Sequence, residues 1–327
     1  MDSMRVIEAA EPGGPEVLRL AERPVPQPGP GQVLVRVAAA GVNGPDLKQR
    51  RGAYPPPPGA SDLMGLEVSG EVVALGEGAP RWQIGDKICA LTNGGAYAEY
   101  VAVDARHCLA IPEGVSLRDA AGLCETFFTV WSNIFHGHEI REGALFLVHG
   151  GSGGIGSTAV QLGAARGLRV FSTASTASAA SADFVRGLGA ERVIDYRSED
   201  FVGVVKEAGG ADLILDFRGG DYVQKNFSAA RMDCRIVQLA FDAGAKMEVN
   251  LGPVLMKRLH LTGSTLRPRT PDFKAAVAAG LEAEAWPLFA TGQLRPVTHR
   301  ILPMAEAQAA HEALEAGGHQ GKILLEM

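Results

Sequence analysis

Up to Glu125 the chain alternates short apolar runs with breaks of Gly and Pro. Val17–Leu20, Gln32–Val37, Glu67–Leu75, Lys87–Leu91 and Ala98–Val103 have the length and β-branched content of strands. Pro24–Pro30 and Tyr54–Gly59 are too rich in proline for any helix and read as extended segments. Frequent short strands without long intervening helices predict a barrel-like first domain.

From Glu125 onward the period changes. Leu145–His149, Arg169–Thr173, Arg192–Tyr196, Asp212–Phe217, Arg235–Ala240 and Leu259–Thr265 read as strands, and helical patterns separate most of them. This alternation predicts an α/β unit, a doubly wound parallel sheet with right-handed crossovers. A helix over Asp272–Thr291 and a strand-like ending, Gly321–Glu326, follow, and the tail is expected to rejoin the first domain. The domains are placed at residues 1–123 with 269–327, and 124–268.

At the end of the first of these later strands the chain runs His149-Gly150-Gly151-Ser152-Gly153-Gly154-Ile155-Gly156. Gly150, Gly153 and Gly156 fit G-x-x-G-x-x-G, and Gly151, Gly153 and Gly156 fit G-x-G-x-x-G. Either match alone is weak. Its place after a strand, at the opening of a helix and at the head of a βα series, points to a diphosphate seated on backbone N–H groups. His149 is read as structural. About twenty residues further on, where NAD sites carry an acid for the ribose hydroxyls, the chain reads Phe171-Ser172-Thr173-Ala174-Ser175-Thr176-Ala177-Ser178, with no acid before Asp183. Hydroxyls there accept a 2′-phosphate that a carboxylate would repel, which favours NADP. The same serines also suit a helix cap that touches no ligand. Arg169, Arg186 and Arg197 are candidate charge partners.

Composition narrows the function classes. The 327 residues include 31 basic and 37 acidic side chains, a net charge of −6, with 46% hydrophobic and 21% charged residues. That balance speaks against nucleic-acid binding and offers no basic run for a membrane surface. The N-terminal residues lack the apolar core of a signal peptide, and no apolar run spans a bilayer. Cys89, Cys108, Cys124 and Cys234 are scattered, without a C-x-x-C pair, so a cytoplasmic setting is expected.

Further pieces carry a resemblance: Ala40–Arg50, Gly52–Ser61, Gly65–Gly70, Trp82–Asp86, Gly94–Tyr100, Ile111–Gly114, Val148–Gly156, Leu188–Ala190, Asp195-Tyr196 and Asp200-Phe201. Together they resemble the zinc-free medium-chain dehydrogenases/reductases of the NADPH quinone oxidoreductase group, across essentially the whole chain. The resemblance implies a GroES-like β-barrel catalytic domain, a Rossmann domain, a cleft between them and a homodimer or tetramer, of which the homodimer is expected. It implies Asn43 and Tyr54 near the nicotinamide and Thr129 beneath it. Gly153, Gly154, Ile155 and Gly156 would hold the pyrophosphate, and Ser175 and Tyr196 would lie at the adenosine phosphate end. Thr176 shares the hydroxyl stretch, and Phe241, after a strand end, edges the cleft or packs in the core. The chain departs from its relatives in one respect: the lysine that grips the 2′-phosphate after the second strand is missing, which weakens the preference for NADPH over NADH.

Zinc members of the superfamily use a Cys and a Gly-His-Glu motif. Here the Cys position holds Asn43, and Gly65-Leu66-Glu67 carries Leu in place of His, so no zinc is expected. Glu67 reads as a buried, hydrogen-bonded acid, Asp46 as a helix-initiating acid, and His136 and His138 as surface residues of a helical stretch. Without a Lewis acid, hydride delivery to a quinone or conjugated carbonyl fits best, with Tyr54 and Asn43 as candidate catalytic groups. The alternatives are that Tyr54 only packs beside the prolines, that Asn43 is a turn former, and that Thr129 is a helix residue only. An NADPH-dependent quinone reductase leads. An enoyl or 2-alkenal C=C reductase, and an NADPH-binding protein with little turnover, are the alternatives.

Overall fold

The computed structural model describes residues 3–79, 81–174 and 179–327. In chain order the elements are β1 (Ser3–Ala9), β2 (Leu18–Pro24), β3 (Gln32–Val42), α1 (Gly44–Arg50), β4 (Glu67–Leu75), β5 (Lys87–Leu91), β6 (Tyr100–Asp104), β7 (Cys108–Ala110) and α2 (Cys124–Ile134). Then come β8 (Leu145–His149), α3 (Gly154–Ala165), β9 (Arg169–Ala174), α4 (Ala179–Arg186), β10 (Arg192–Asp195), α5 (Phe201–Glu207), β11 (Ala211–Asp216), α6 (Tyr222–Ala229), β12 (Ala230–Gln238), α7 (Gly252–Lys257) and β13 (His260–Gly263). The chain closes with α8 (Pro271–Glu284), α9 (Pro287–Ala290), β14 (Thr298–Pro303), α10 (Ala307–Ala316) and β15 (Lys322–Glu326). Two compact units result, Met1–Thr129 with Leu266–Met327, and Val130–Thr265, and the division falls within α2.

In the first unit β14, β15, β3, β4, β5 and β7 follow one another in a sheet, and β6 joins through β3. The C-terminal strand β15 runs antiparallel to β3, pairing Ile323 with Val42 and Glu326 with Ala39. Alternate residues of these strands face a core that includes Val33, Val35, Val68, Val72, Ile88 and Leu325. An N-terminal hairpin, β1 against β2 from Ser3–Pro24 to Ala9–Leu18, lies in a separate sheet. The sequence pattern had placed a strand at Val17–Leu20 and none before it.

The second unit is a six-stranded parallel sheet in the order β10-β9-β8-β11-β12-β13. Counted from β8, this is the 3-2-1-4-5-6 order of a doubly wound dinucleotide fold, with its switch point beside β8. Leu145, Leu147, Phe171, Ile194, Ile214 and Ile236 fill the core. The near-continuous apolar strands follow from burial on both faces of the sheet.

Two expectations are corrected. The helix over Asp272–Thr291 breaks after Glu284, and α9 restarts at Pro287. Proline has no N–H for the ladder, and its ring clashes with the preceding turn. His136 and His138 lie outside any helix, because α2 ends at Ile134 and Gly137 turns with φ +72°.

The turn after β8 depends on small residues. Gly150 adopts φ +68°, and a Cβ on Gly156 would come within 2.1 Å of the Gly150 carbonyl oxygen. Gly156→Ala is therefore expected to cost about 1–3 kcal/mol in chemical denaturation. Gly44→Ala, where a Cβ meets nothing within 4 Å, is expected to change stability by under ~0.5 kcal/mol.

Candidate active site

The first unit buries an unusual concentration of charge. Glu67, at the start of β4, has no exposed surface. Its Oε1 accepts from the Asn43 amide at 2.9 Å and forms an ion pair with Lys322 Nζ at 2.7 Å. Its Oε2 accepts from the backbone N–H of Glu125 at 2.8 Å. Lys322, at the head of β15, also donates to Val42 O and to Asn43 Oδ1. Asn43 further donates to Gly41 O at 3.3 Å. Both ends of its amide are thus committed to this cluster.

Local sequence explains the geometry. Asn43 is the extended residue that starts α1, Pro45 stands in the first turn, and the Asp46 carboxylate accepts from the Asn43 N–H at 2.8 Å. Asp46 is fully buried and also accepts from Gly65 N–H and Tyr97 Oη. Burial pushes its carboxyl up to about 6, against the pull of those hydrogen bonds. Tyr97 Oη lies 3.1 Å from His311 Nε2, and the other His311 nitrogen lies 3.1 Å from Arg50. Burial and the Arg50 charge push His311 down to about 3, so it is neutral.

A second group stands around Tyr54. The Arg267 guanidinium lies 5.4 Å from the Tyr54 ring centroid and donates to Tyr54 O at 3.3 Å. Two further bonds, 2.9 and 2.7 Å, fix Arg267 to Asn93 O. Lys274, buried in α8, donates to Asn93 Oδ1 at 2.6 Å and to Arg267 O at 2.7 Å. Burial lowers Lys274 to about 8. Tyr54 is half-buried, and among the described residues its hydroxyl has no hydrogen-bond partner. Burial, then the charge of Glu125, raises its phenol above the ordinary value, so the hydroxyl keeps its proton. Glu125 is half-buried in the first turn of α2. Burial and the neighbouring Glu67 push its carboxyl up to about 8, although Lys322 and Lys274 oppose them.

The second unit contains the glycine turn. Gly150 N–H donates to Thr173 Oγ1, and Gly151 N–H to Thr173 O. Gly153 caps α3 with no side-chain bond, and no acid lies in the first turn, so nothing negative opposes an anion over Gly154, Ile155 and Gly156. Beneath the turn, buried His149 lies 3.1 Å from Thr173 Oγ1 and 2.8 Å from Asn226 Oδ1, and Asn226 donates to Asp216 at 2.8 Å. Burial lowers the His149 pKa. Tyr196 and Phe241 are both exposed, and Phe241 follows β12 in a turn closed by Gly244 N–H on its carbonyl. Thr129 is half-buried within α2. Ser175 and Thr176 lie outside the described residues.

Tyr54, Asn43 and Glu67 are candidates by sequence, whereas Arg267, Lys274, Asn93, Lys322 and Glu125 join them only through the fold. The available signals were small: a lysine among apolar residues in Phe273-Lys274-Ala275-Ala276-Val277, and an acid in the apolar start of α2.

Comparisons with known proteins agree with this architecture. Residues 29–113 match the alcohol dehydrogenase GroES-like domain, and residues 188–325 match the zinc-binding dehydrogenase family. The human quinone oxidoreductase is 30% identical over 98% of this chain and 97% of its own length. A mycobacterial protein solved in complex with NADPH superposes with a TM-score of 0.87 at 28% identity, covering 99% of this chain and 100% of that one. The JamJ enoyl reductase superposes at 0.86 with 23% identity over 99% of both chains, a likeness of fold alone. The chain belongs to the quinone oxidoreductase family of the medium-chain dehydrogenases/reductases, with a GroES-like domain and a Rossmann sheet.

The residues do not fit the zinc that the second family description implies. Asn43 and Leu66 supply neither thiolate nor imidazole, and Glu67 is taken up by Lys322 and Asn43. Among the described residues no group of three His, Cys, Asp or Glu side chains could hold a metal ion.

Two outcomes test this geometry. Lys322→Met should cost about 3–5 kcal/mol, because it strands a buried carboxylate. Urea titration checks this, and adding Glu67→Gln should recover part of the loss. Because the Glu125 pKa is raised in the fold, the folded state holds a proton that the unfolded state has released. Stability therefore falls as pH rises from about 4.5 to about 8. Glu125→Gln should flatten that slope in denaturation curves recorded across the range.

Proposed function

We propose that the protein is an NADPH-dependent quinone reductase, delivering a hydride to a quinone or similar conjugated carbonyl. The observation that carries the reading is the closed Glu67–Lys322–Asn43 cluster. Alcohol oxidation in this superfamily relies on a metal to stabilise the alkoxide, and here a lysine and an amide occupy the carboxylate. Hydride transfer then suits an acceptor that is already electrophilic. The full-length likeness to a quinone oxidoreductase supports the acceptor class.

Bound NADPH would supply the hydride. The turn of Gly150 and Gly153 would carry its pyrophosphate onto the uncapped N–H groups of Gly154, Ile155 and Gly156. The mycobacterial NADPH complex supports this cofactor. Tyr54, with a free and protonated hydroxyl, would donate to the acceptor carbonyl or to the cofactor, and Arg267 holds its ring in place. Asn43 would act by holding Glu67 and Lys322, and Thr129 would line the site from α2.

The 2′-phosphate would be recognised by the strand ends of β9 and β10. Their register sets Asp195 opposite Ala174, so Tyr196 and Arg197 follow directly on the paired end of β10. Arg169 is paired with Glu191, and Arg186 with Asp183. The Arg197 guanidinium makes only a contact with the Tyr196 ring, 5.8 Å from its centroid, among the described residues. Arg197 thus stands in for the missing lysine.

A homodimer is proposed through β13. This edge strand is exposed along its length, and Leu261 stands beside the exposed Leu251, Leu255 and Met256 in sequence. The four buried, unpaired cysteines support a reducing, cytoplasmic compartment.

The test is cofactor oxidation with phenanthrenequinone, para-benzoquinone and a 2-alkenal, using NADPH and NADH. Quinone turnover supports the proposal; alkenal turnover without quinone turnover overturns it. Arg197→Ala should weaken NADPH binding ~10-fold, the loss of one charge-assisted contact, and leave the NADH Kd unchanged in fluorescence titration. Leu255→Glu with Met256→Glu should yield monomers in light scattering.

A further inference from the structure

We propose that Glu125 is the proton donor of the reaction, giving its carboxyl proton to the acceptor oxygen as the hydride arrives. This rests on the reductase reading above and extends it to the second half of the chemistry.

The argument begins with position. Glu125 lies in the first turn of α2, and its own N–H is tied to Glu67 Oε2, which fixes the backbone at that point. Its carboxyl has no hydrogen-bond or ion-pair partner among the described residues, although basic groups surround it. Lys322 is engaged by Glu67 and Asn43, Lys274 by Asn93 and Arg267 O, and Arg267 by Asn93. Each cation that could have captured Glu125 is held by another partner. A half-buried acid left unclaimed in so dense a network is one that a ligand can meet.

The neighbours set its protonation. Glu67 and Asp46 raise it, Lys322 and Lys274 lower it, and burial outweighs them all. Its charge raises both the Tyr54 phenol and the Arg267 guanidinium, so the three groups titrate as one cluster. At neutral pH the acid is protonated, yet close enough to its pKa to release the proton readily. The Tyr54 phenol is held above its ordinary value and is the poorer donor. Tyr54 therefore polarises the carbonyl, and Glu125 transfers the proton.

The step balances. The acceptor takes a hydride, two electrons and a proton, from the reduced nicotinamide, which is oxidised. An electron pair moves onto the acceptor oxygen, the Glu125 O–H bond breaks, and an O–H bond forms on that oxygen. The Glu125 carboxylate then regains a proton from solvent.

Glu125→Gln keeps size and removes the proton, and nothing the carboxyl holds is lost. The first readout uses the protein without cofactor. Infrared difference spectra between Glu125→Gln and the unaltered protein should show a protonated carboxyl band at neutral pH, titrating near pH 8. The second is kinetic. In single-turnover quinone reduction Glu125→Gln should slow the step ~100-fold or more, leave the Kd for NADPH unchanged, and abolish the decline in rate above about pH 8. Glu125→Asp should recover part of the rate. Unaltered kinetics in Glu125→Gln across the pH range, or a Glu125 carboxyl ionised at neutral pH, would overturn the assignment. Failure of the unaltered protein to reduce any quinone would overturn the reductase reading, and the infrared titration would still report on Glu125.

Discussion

The carboxylate of Glu67 is the point on which the first unit turns. An isolated charge with no exposed surface would cost several kcal/mol. The fold must therefore deliver Lys322 Nζ, the Asn43 amide and the Glu125 N–H to it together. Those three groups come from β15, the β3–α1 junction and α2, so one carboxylate sets the return of the C-terminal strand, the start of α1 and the entry of α2. In zinc relatives, by the resemblance, a metal stands among the corresponding residues. Here a lysine from the far end of the chain supplies the positive charge, and the cation becomes part of the polypeptide.

That arrangement determines the electrostatics of everything nearby. Glu67, Asp46 and Glu125 face Lys322, Lys274 and Arg267 in a buried setting. Partners are shared unequally, and the titration behaviour follows. Glu67 takes the lysine, Asp46 takes backbone N–H groups and the Tyr97 hydroxyl, and Glu125 is left without a partner and rises to about 8. Carboxyls of one chemical type are driven to separate roles by what surrounds them, a pattern that recurs in enzyme acid–base pairs. Tyr54 stands at the edge of this cluster, with the Arg267 guanidinium against its ring and on its backbone carbonyl.

Much of the fold was legible in the sequence because it is written in local periods. Strands β4, β5 and β8 fall where alternation or short apolar runs place them, and the glycine turn declared itself through Gly150, Gly153 and Gly156. Strand β1 lies too close to the N-terminus to stand out by its own pattern, and it becomes a strand through its pairing with β2. The helical pattern after Pro271 continues past Glu284 in the sequence, and Pro287 is the residue that divides it. The polar cluster was harder to see. Lys322 meets Asn43 across nearly the whole chain, and such a contact exists only once β15 pairs with β3. Arg267, Lys274 and Glu125 look like ordinary charges in the sequence, and their importance appears only with burial and with the partners each already has. The departure at the end of β9 shows in the sequence as a missing lysine, whereas the place of Arg197 just past the paired end of β10 follows only from the strand register.

The central claim is that this metal-free constellation supports direct hydride transfer to a carbonyl acceptor. The most direct test is a single turnover of quinone with NADPH carrying deuterium at nicotinamide C4, prepared in each of its two stereochemical forms. The account predicts that one form slows the reaction several-fold and yields oxidised cofactor that has lost its deuterium, whereas the other form reacts at nearly the unlabelled rate and keeps it. Equal rates for both forms and for unlabelled NADPH in a step shown to be chemistry, or no quinone reduction by the NADPH-loaded protein, would contradict it.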